Sequence, residues 1–191
     1  MEWHPPHPHA TASDFSFCPR CGAGLVLRLL KSGEPQRLVC TSCDFVFFLD
    51  PKVATGCIVE QDGGIVLLRR AIEPGYGKWV FPGGYVDRGE RVEDAAVREM
   101  EEESRLRVRL TGLVGVYSYP GRPVVVVVYT GLVLGGRLEA ADEALDARTF
   151  APREIPWREL AFSSTYDALA DYAARVHAVG PPADVPRPGP F

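Results

Sequence analysis

Glu99, Glu102 and Glu103 stand at i, i+3 and i+4, a spacing that puts three carboxylates on one face of a helix. Arg91 to Ser104 reads as that helix. Glu93 and Asp94 suit the positive end of its dipole, and Val92, Ala95, Ala96 and Met100 supply an apolar stripe. Three like charges repel, so helix stability alone gives no reason for the pattern. A hard divalent cation between the carboxylates reverses the sign, because Mg²⁺ is held by carboxylate oxygens and water. Glu90, just before the helix, can reach the same place, and Arg98 can pair with Glu102 one turn on. Gly83 and Gly84 read as a loop whose bare backbone comes close to whatever the carboxylates hold. The competing reading is a solvated acidic face with an exposed arginine beside it.

A second group of candidate ligands lies upstream. Cys18-Pro19-Arg20-Cys21 and Cys40-Thr41-Ser42-Cys43 are two tight Cys-x-x-Cys turns. Two thiolates from each complete a tetrahedron around Zn²⁺ with Zn–S distances of about 2.3 Å. Gly22 supplies the permissive residue after the first turn. Leu25 to Leu30 and Gln36 to Val39 read as the strands between the turns. A pair of disulfides or a redox motif is the alternative, poorly supported without a βαβ context. Four cysteines close the site, so its zinc is expected to be structural. Cys57, in an apolar strand, reads as a buried free thiol.

Taken together, Gly84, Glu90 and the run Arg98-Glu99-Met100-x-Glu102-Glu103 resemble the signature of the Nudix hydrolases, with Gly77 to Gly84 similar to its lead-in. One position departs: Arg105 stands where that family usually has a helix-ending glycine of positive φ. The resemblance implies an α+β fold, a Nudix α/β/α sandwich with a mixed sheet, here preceded by a small β zinc ribbon. It also implies that Glu99, Glu102 and Glu103 bind Mg²⁺ or Mn²⁺, with Glu90 in support and Gly83 and Gly84 against a diphosphate. Glu143, in an acidic loop, resembles the glutamate that some members use as a base, although a plain surface loop reads equally well.

The zinc ribbon narrows the resemblance. NADH pyrophosphatases share the layout, but Tyr117 to Pro123 does not match their Ser-Gln-Pro-Trp-Pro-Phe-Pro motif. The order of modules is more similar to a group that includes plant chloroplast FAD and ADP-ribose pyrophosphatases. The activity implied is hydrolysis of a nucleoside diphosphate linked to another moiety, with FAD or ADP-ribose first and NADH behind. A nucleotide-sensing module without turnover and a zinc-ribbon nucleic-acid-binding protein are the other two classes. Tyr117, Tyr119 and Phe162 could stack on a base, or could simply be core.

The net charge of −4 argues against broad attraction to nucleic acid or anionic membrane. The ribbon itself balances Arg20, Arg28, Lys31 and Arg37 against Asp14, Glu34, Asp44 and Asp50, which gives no basic footprint. A structural or dimerising role is expected for it, and a small molecule rather than nucleic acid or membrane is the expected partner. No signal peptide is visible and the longest apolar run is too short to span a bilayer, so a cytoplasmic protein is expected. The domains read as a disordered leader over 1–14 with His4, His7 and His9, a zinc ribbon over 15–50, a hydrolase domain over 51–178, and a disordered Pro-rich tail over 179–191. Val124 to Val128 is continuously apolar, as for a strand buried on both faces. Ser164 and Asp167 read as a capping box opening the last helix.

Overall fold

The computed structural model describes residues 12–141 and 143–189. His4, His7, His9 and most of the leader lie outside the described residues. The chain divides between Pro51 and Lys52 into two compact units.

In the first unit, β1 (Leu25–Arg28), β2 (Arg37–Cys40) and β3 (Val46–Phe47) form an antiparallel sheet in that order. The third strand was not legible in the sequence. Among the described residues of this unit, only Cys18, Leu38, Val39 and Cys40 are buried apolar residues. So small a core cannot fix a fold by itself, and units of this size usually need a metal or a disulfide.

The second unit is built on a mixed sheet. Its strands are β4 (Lys52–Gln61), β5 (Gly64–Arg70), β6 (Trp79–Val80), β7 (Gly83–Tyr85), β8 (Leu106–Ser118), β9 (Val124–Gly136) and β10 (Ala144–Phe150). The spatial order is β10-β5-β4-β9-β8, with β6 on β5 and β7 on β4. Of these strand pairs among the described residues, β4 with β9 is parallel and the others are antiparallel. Asp62 (φ 52°) and Gly63 (φ 80°) form the two-residue turn between β4 and β5, where both central residues must be left-handed to match the strand twist.

Helix α1 (Val92–Ser104) covers one face, α2 (Ser163–His177) the other. Cys57 and Val59 pack with Met100 of α1, whereas the intervening Ile58 packs with Leu169 and Ala173 of α2. That alternation is the strand period of two, and it makes the domain an α/β/α sandwich. Val124 to Val127 are only half-buried and Val128 is the first fully enclosed residue, so the helices cover this run incompletely.

The opening of α2 differs from the sequence reading. Phe162 is its N-cap, whose side chain has no oxygen to cap with, and Asp167 accepts the Tyr119 hydroxyl at 2.6 Å and pairs with Arg187. Residues 179–189, expected within a disordered tail, have no helix or strand but make specific contacts. Val179 and Val185 pack on the α2-side core, Ser163 Oγ donates to the Pro188 carbonyl at 2.8 Å, and Arg158 pairs with Asp184. Proline excludes regular hydrogen bonding without excluding packing. No helix among the described residues is long and apolar enough to cross a membrane.

Candidate functional site

The sequence spacing places Glu99, Glu102 and Glu103 on α1, and the sheet supplies the surface they face. Gly83 and Gly84 are strand rather than loop, because they extend β7 against β4: Gly56 pairs with Gly83 and Thr55 with Gly84. Neither position tolerates a side chain. A Cβ on Gly83 would lie 2.3 Å from the Thr55 carbonyl oxygen, and one on Gly84 would lie 2.6 Å from the Glu99 carboxylate. Glu99 therefore sits directly on the bare backbone of β7.

Arg98 organises the carboxylates. Its Nε and Nη2 donate to the two oxygens of Glu90 at 2.9 and 3.0 Å, a two-pronged pair. Nη1 donates to Glu99 at 2.7 Å and to Glu102 at 3.0 Å, and Nη2 also donates to the Tyr85 carbonyl at 3.2 Å. The sequence suggested only the Glu102 contact. Arg98, followed by the Asp87 N–H, holds the Glu90 carboxyl down to about 2. Arg98 itself is held well above its ordinary range by the same partners, Glu90 foremost.

Glu103 has a different setting. It accepts the Gly83 N–H at 2.9 Å, yet burial pushes its carboxyl up to about 7, and Glu99 and Glu143 push the same way. Glu99 is also raised, by burial first. Glu102 is half-exposed and Glu101 is exposed on the helix side that turns outward. Four carboxylates, three of them paired with one guanidinium and two partly desolvated, all offering oxygen, fit a hard divalent cation.

Arg70, at the end of β5, escaped the sequence reading because no motif marks it. Burial depresses its pKa, opposed by the nearby charges of Glu103, Glu143 and Glu73. Its Nε donates to the Pro74 carbonyl at 2.9 Å and its guanidinium lies 5.0 Å from the Phe162 ring centroid. Glu143 is exposed and within electrostatic range of both Glu103 and Arg70; its carbonyl accepts the Ala71 N–H at 2.7 Å. Asp142 lies outside the described residues. Of the aromatics, Tyr117 is buried with its hydroxyl on Asp171 at 2.9 Å, and Tyr119 is half-buried against α2. Arg105 ends α1 at φ 60°, ψ 14°, the left-handed conformation that glycine would adopt freely, and its N–H donates to the Glu101 carbonyl.

In the first unit, Cys18, Cys21, Cys40 and Cys43 bring their sulfurs within 4.8 Å of one another. The pairs Cys18–Cys43 and Cys21–Cys40 are 3.8 and 3.4 Å apart. A tetrahedron with bonds of about 2.3 Å has edges of about 3.8 Å. The Cys43 and Ser42 N–H groups point at the Cys40 sulfur, both at 3.4 Å, and hold its thiol down to about 6. Gly22 (φ 76°) and Asp44 (φ 53°) turn the chain after each pair. Cys57 is fully buried, and desolvation pushes its thiol up to about 12.

Comparison with known proteins agrees with this geometry. Residues 50–172 match the NUDIX domain and residues 16–48 match the Nudix N-terminal zinc ribbon. The chain is 41% identical over 119 residues to an ADP-ribose pyrophosphatase of Methanocaldococcus jannaschii, covering 60% of this chain and 69% of that one. It is 26% identical to the NAD-capped RNA hydrolase NudC of Pseudomonas putida, covering 76% of this chain and about half (51%) of the relative. A crystal structure of a NUDIX hydrolase from Nitrosomonas europaea superposes with a TM-score of 0.80 at 34% identity, over 87% of this chain and 95% of that one. With its carboxylate helix laid on a glycine strand and its cysteine turns upstream, the chain belongs to the NUDIX hydrolase family, in the branch that carries an N-terminal zinc ribbon.

Proposed function

We propose that this enzyme hydrolyses the pyrophosphate bond of a nucleoside diphosphate derivative, with ADP-ribose the leading substrate and FAD next. The observation that carries the reading is the Arg98 clamp, which gathers Glu90, Glu99 and Glu102 beside Glu103 on the bare β7 backbone. Similarity to an ADP-ribose pyrophosphatase supports the substrate class.

Glu99, Glu102 and Glu103 would hold Mg²⁺ or Mn²⁺, with Glu90 fixing Arg98 behind them. The bound ion neutralises phosphate charge and lowers the pKa of water on it. Arg70 faces the same carboxylates and offers its charge to the diphosphate. Glu143, exposed at the edge of this cluster, is our candidate to accept the proton of the attacking water. Gly83 and Gly84 let β7 lie against β4 and against Glu99 with no side chain between them.

The likeness to NudC keeps NADH and NAD-capped RNA as the second reading. Product analysis on ADP-ribose, FAD, NADH, NAD, nucleoside triphosphates and NAD-capped RNA with Mg²⁺ and Mn²⁺ tests both. AMP and ribose 5-phosphate from ADP-ribose at the highest kcat/KM are expected. Preference for a triphosphate would overturn the substrate class, and binding without turnover of any member would leave only a nucleotide sensor.

A further inference from the structure

The tail crosses a part of α2 that the catalytic carboxylates do not use. Phe162, at the start of α2, lies against Arg70, which in turn faces Glu103. Asp167 follows five residues later, about 7.5 Å along the helix. There Tyr119 donates its hydroxyl to Asp167 at 2.6 Å, and Arg187 of the tail pairs with the same carboxylate oxygen. The Arg187 guanidinium also lies 4.9 Å from the Tyr119 ring centroid. On either side the tail is tied down by the Pro188 carbonyl on Ser163 Oγ and the Val185 carbonyl on the Tyr166 hydroxyl.

The sheet leads to the same place. Tyr117, Val126, Ala54 and Tyr85 lie side by side across β8, β9, β4 and β7. That row spans roughly 14 Å at the usual strand spacing, and it starts at the residue whose carbonyl Arg98 grips. Because Gly84 faces Glu99 on the α1 side, Tyr85 projects to the α2 side, where Lys52 lies 5.1 Å over its ring. A nucleotide whose diphosphate rests at the carboxylates would have to pass β7 at Tyr85 to reach the α2 side, where this row runs to Tyr117, two residues before Tyr119.

We propose that Tyr119 and Asp167 form a subsite for an amino-bearing nucleobase, and that Arg187 occupies it in the free enzyme as an internal stand-in. A guanidinium is flat, stacks on an aromatic ring and presents N–H donors to a carboxylate. Adenine offers the same combination through its π face and exocyclic amino group. Base and Arg187 therefore compete for one place, and the tail sets how much of the enzyme is open to nucleotide. This deepens the proposed function and rests on its nucleotide substrate class.

The test is equilibrium binding of AMP, with ribose 5-phosphate as the baseless control, so it reads the subsite without turnover. An exposed ion pair and one cation–π contact hold the plug, so Arg187→Ala should tighten AMP by roughly 5- to 30-fold. Ribose 5-phosphate should bind equally to both proteins. Tyr119→Phe keeps the ring and removes the hydroxyl, so it should retain most AMP affinity; Asp167→Asn, close in size, should lose the gain that Arg187→Ala provides. Unchanged or weaker AMP binding in Arg187→Ala would overturn the proposal, as would an equal effect on ribose 5-phosphate. Either result, with ADP-ribose turnover intact, would leave the proposed function standing.

Discussion

The two candidate metal sites of this chain are assembled in opposite ways. In the ribbon, four sulfurs close on one point and the backbone does the holding, through N–H groups aimed at Cys40 and turns at Gly22 and Asp44. In the hydrolase domain, long side chains converge from one helix and the turn before it, and a single guanidinium holds three of the carboxylates, one of them half-exposed at the rim. A closed sulfur cage suits an ion that stays and organises its own fold. An open oxygen cluster suits an ion that keeps waters, exchanges and admits a phosphate. Rigidity in the first comes from backbone turns and N–H groups; in the second it depends on charge balance, which a single substitution can upset.

Breaking the carboxylate side should have the largest effect on catalysis. Glu102→Gln and Glu103→Gln remove a charge without changing size, and kcat/KM should fall by roughly 10²-fold or more in each. Glu101→Gln, on the outward side, should change it less than about twofold. Steady-state kinetics on the three variants reads the contrast, and an equal loss at Glu101 would remove the distinction between the faces of α1.

Breaking the sulfur side should act on folding instead. Elemental analysis of purified protein is expected to find zinc retained, and Cys40→Ser should release it and expose the ribbon to proteolysis while the hydrolase domain keeps measurable turnover. Active, folded protein without zinc would erase the contrast between a closed and an open site.

A smaller effect sharpens the electrostatic half. With its carboxyl raised to about 7, Glu103 binds a proton that a cation must displace. The concentration of Mg²⁺ giving half-maximal activity should therefore rise as pH falls below about 7, by up to about tenfold per unit. In the metal-free protein the same raised value means that ionised Glu103 opposes folding. Its contribution should make unfolding easier as pH rises through 7, the opposite of Glu90, whose stabilising pair is lost only as pH falls from about 4.5 toward 2. Thermal melts of Glu103→Gln and wild type across pH 5–8 read the Glu103 contribution alone, since that of Glu90 changes only at lower pH.

The smallest effect is expected at Arg105→Gly. Glycine relieves the left-handed strain but loosens the unfolded chain, so stability should move by about 1 kcal/mol or less and kcat should stay unchanged. A large loss of turnover would mean that Arg105 serves the site directly.

What the sequence disclosed follows from the range of the interactions involved. The face shared by Glu99, Glu102 and Glu103 depends on helical period alone, and the cysteine turns on local spacing, so both could be read directly. Gly83 and Gly84 were legible as a close approach but not as strand, since their partners Thr55 and Gly56 lie far back in the chain. Arg70 could not be found by pattern, because its proximity to Glu103 exists only once α1 packs on the sheet that contains β5. The tail misled for a different reason: proline content reports on backbone hydrogen bonding, whereas Val185 and Arg187 settle by packing and charge.

The parallel pairing of β4 with β9 bears on how the chain comes off the ribosome. β4 opens the hydrolase domain, yet Thr55 donates its hydroxyl to the carbonyl of Val127, 72 residues later. The centre of the sheet cannot close until β9 has emerged, and pairings of such separation are slow to form. The ribbon is held by contacts between residues 15 and 47, such as the tilted ring pair of Phe15 and Phe47. It can therefore collect its zinc and finish folding while β4, with its run of buried residues from Thr55 to Val59, is still waiting for a partner. During synthesis, the interval between β4 and β9 is the window in which that strand is most exposed to aggregation and most in need of a chaperone.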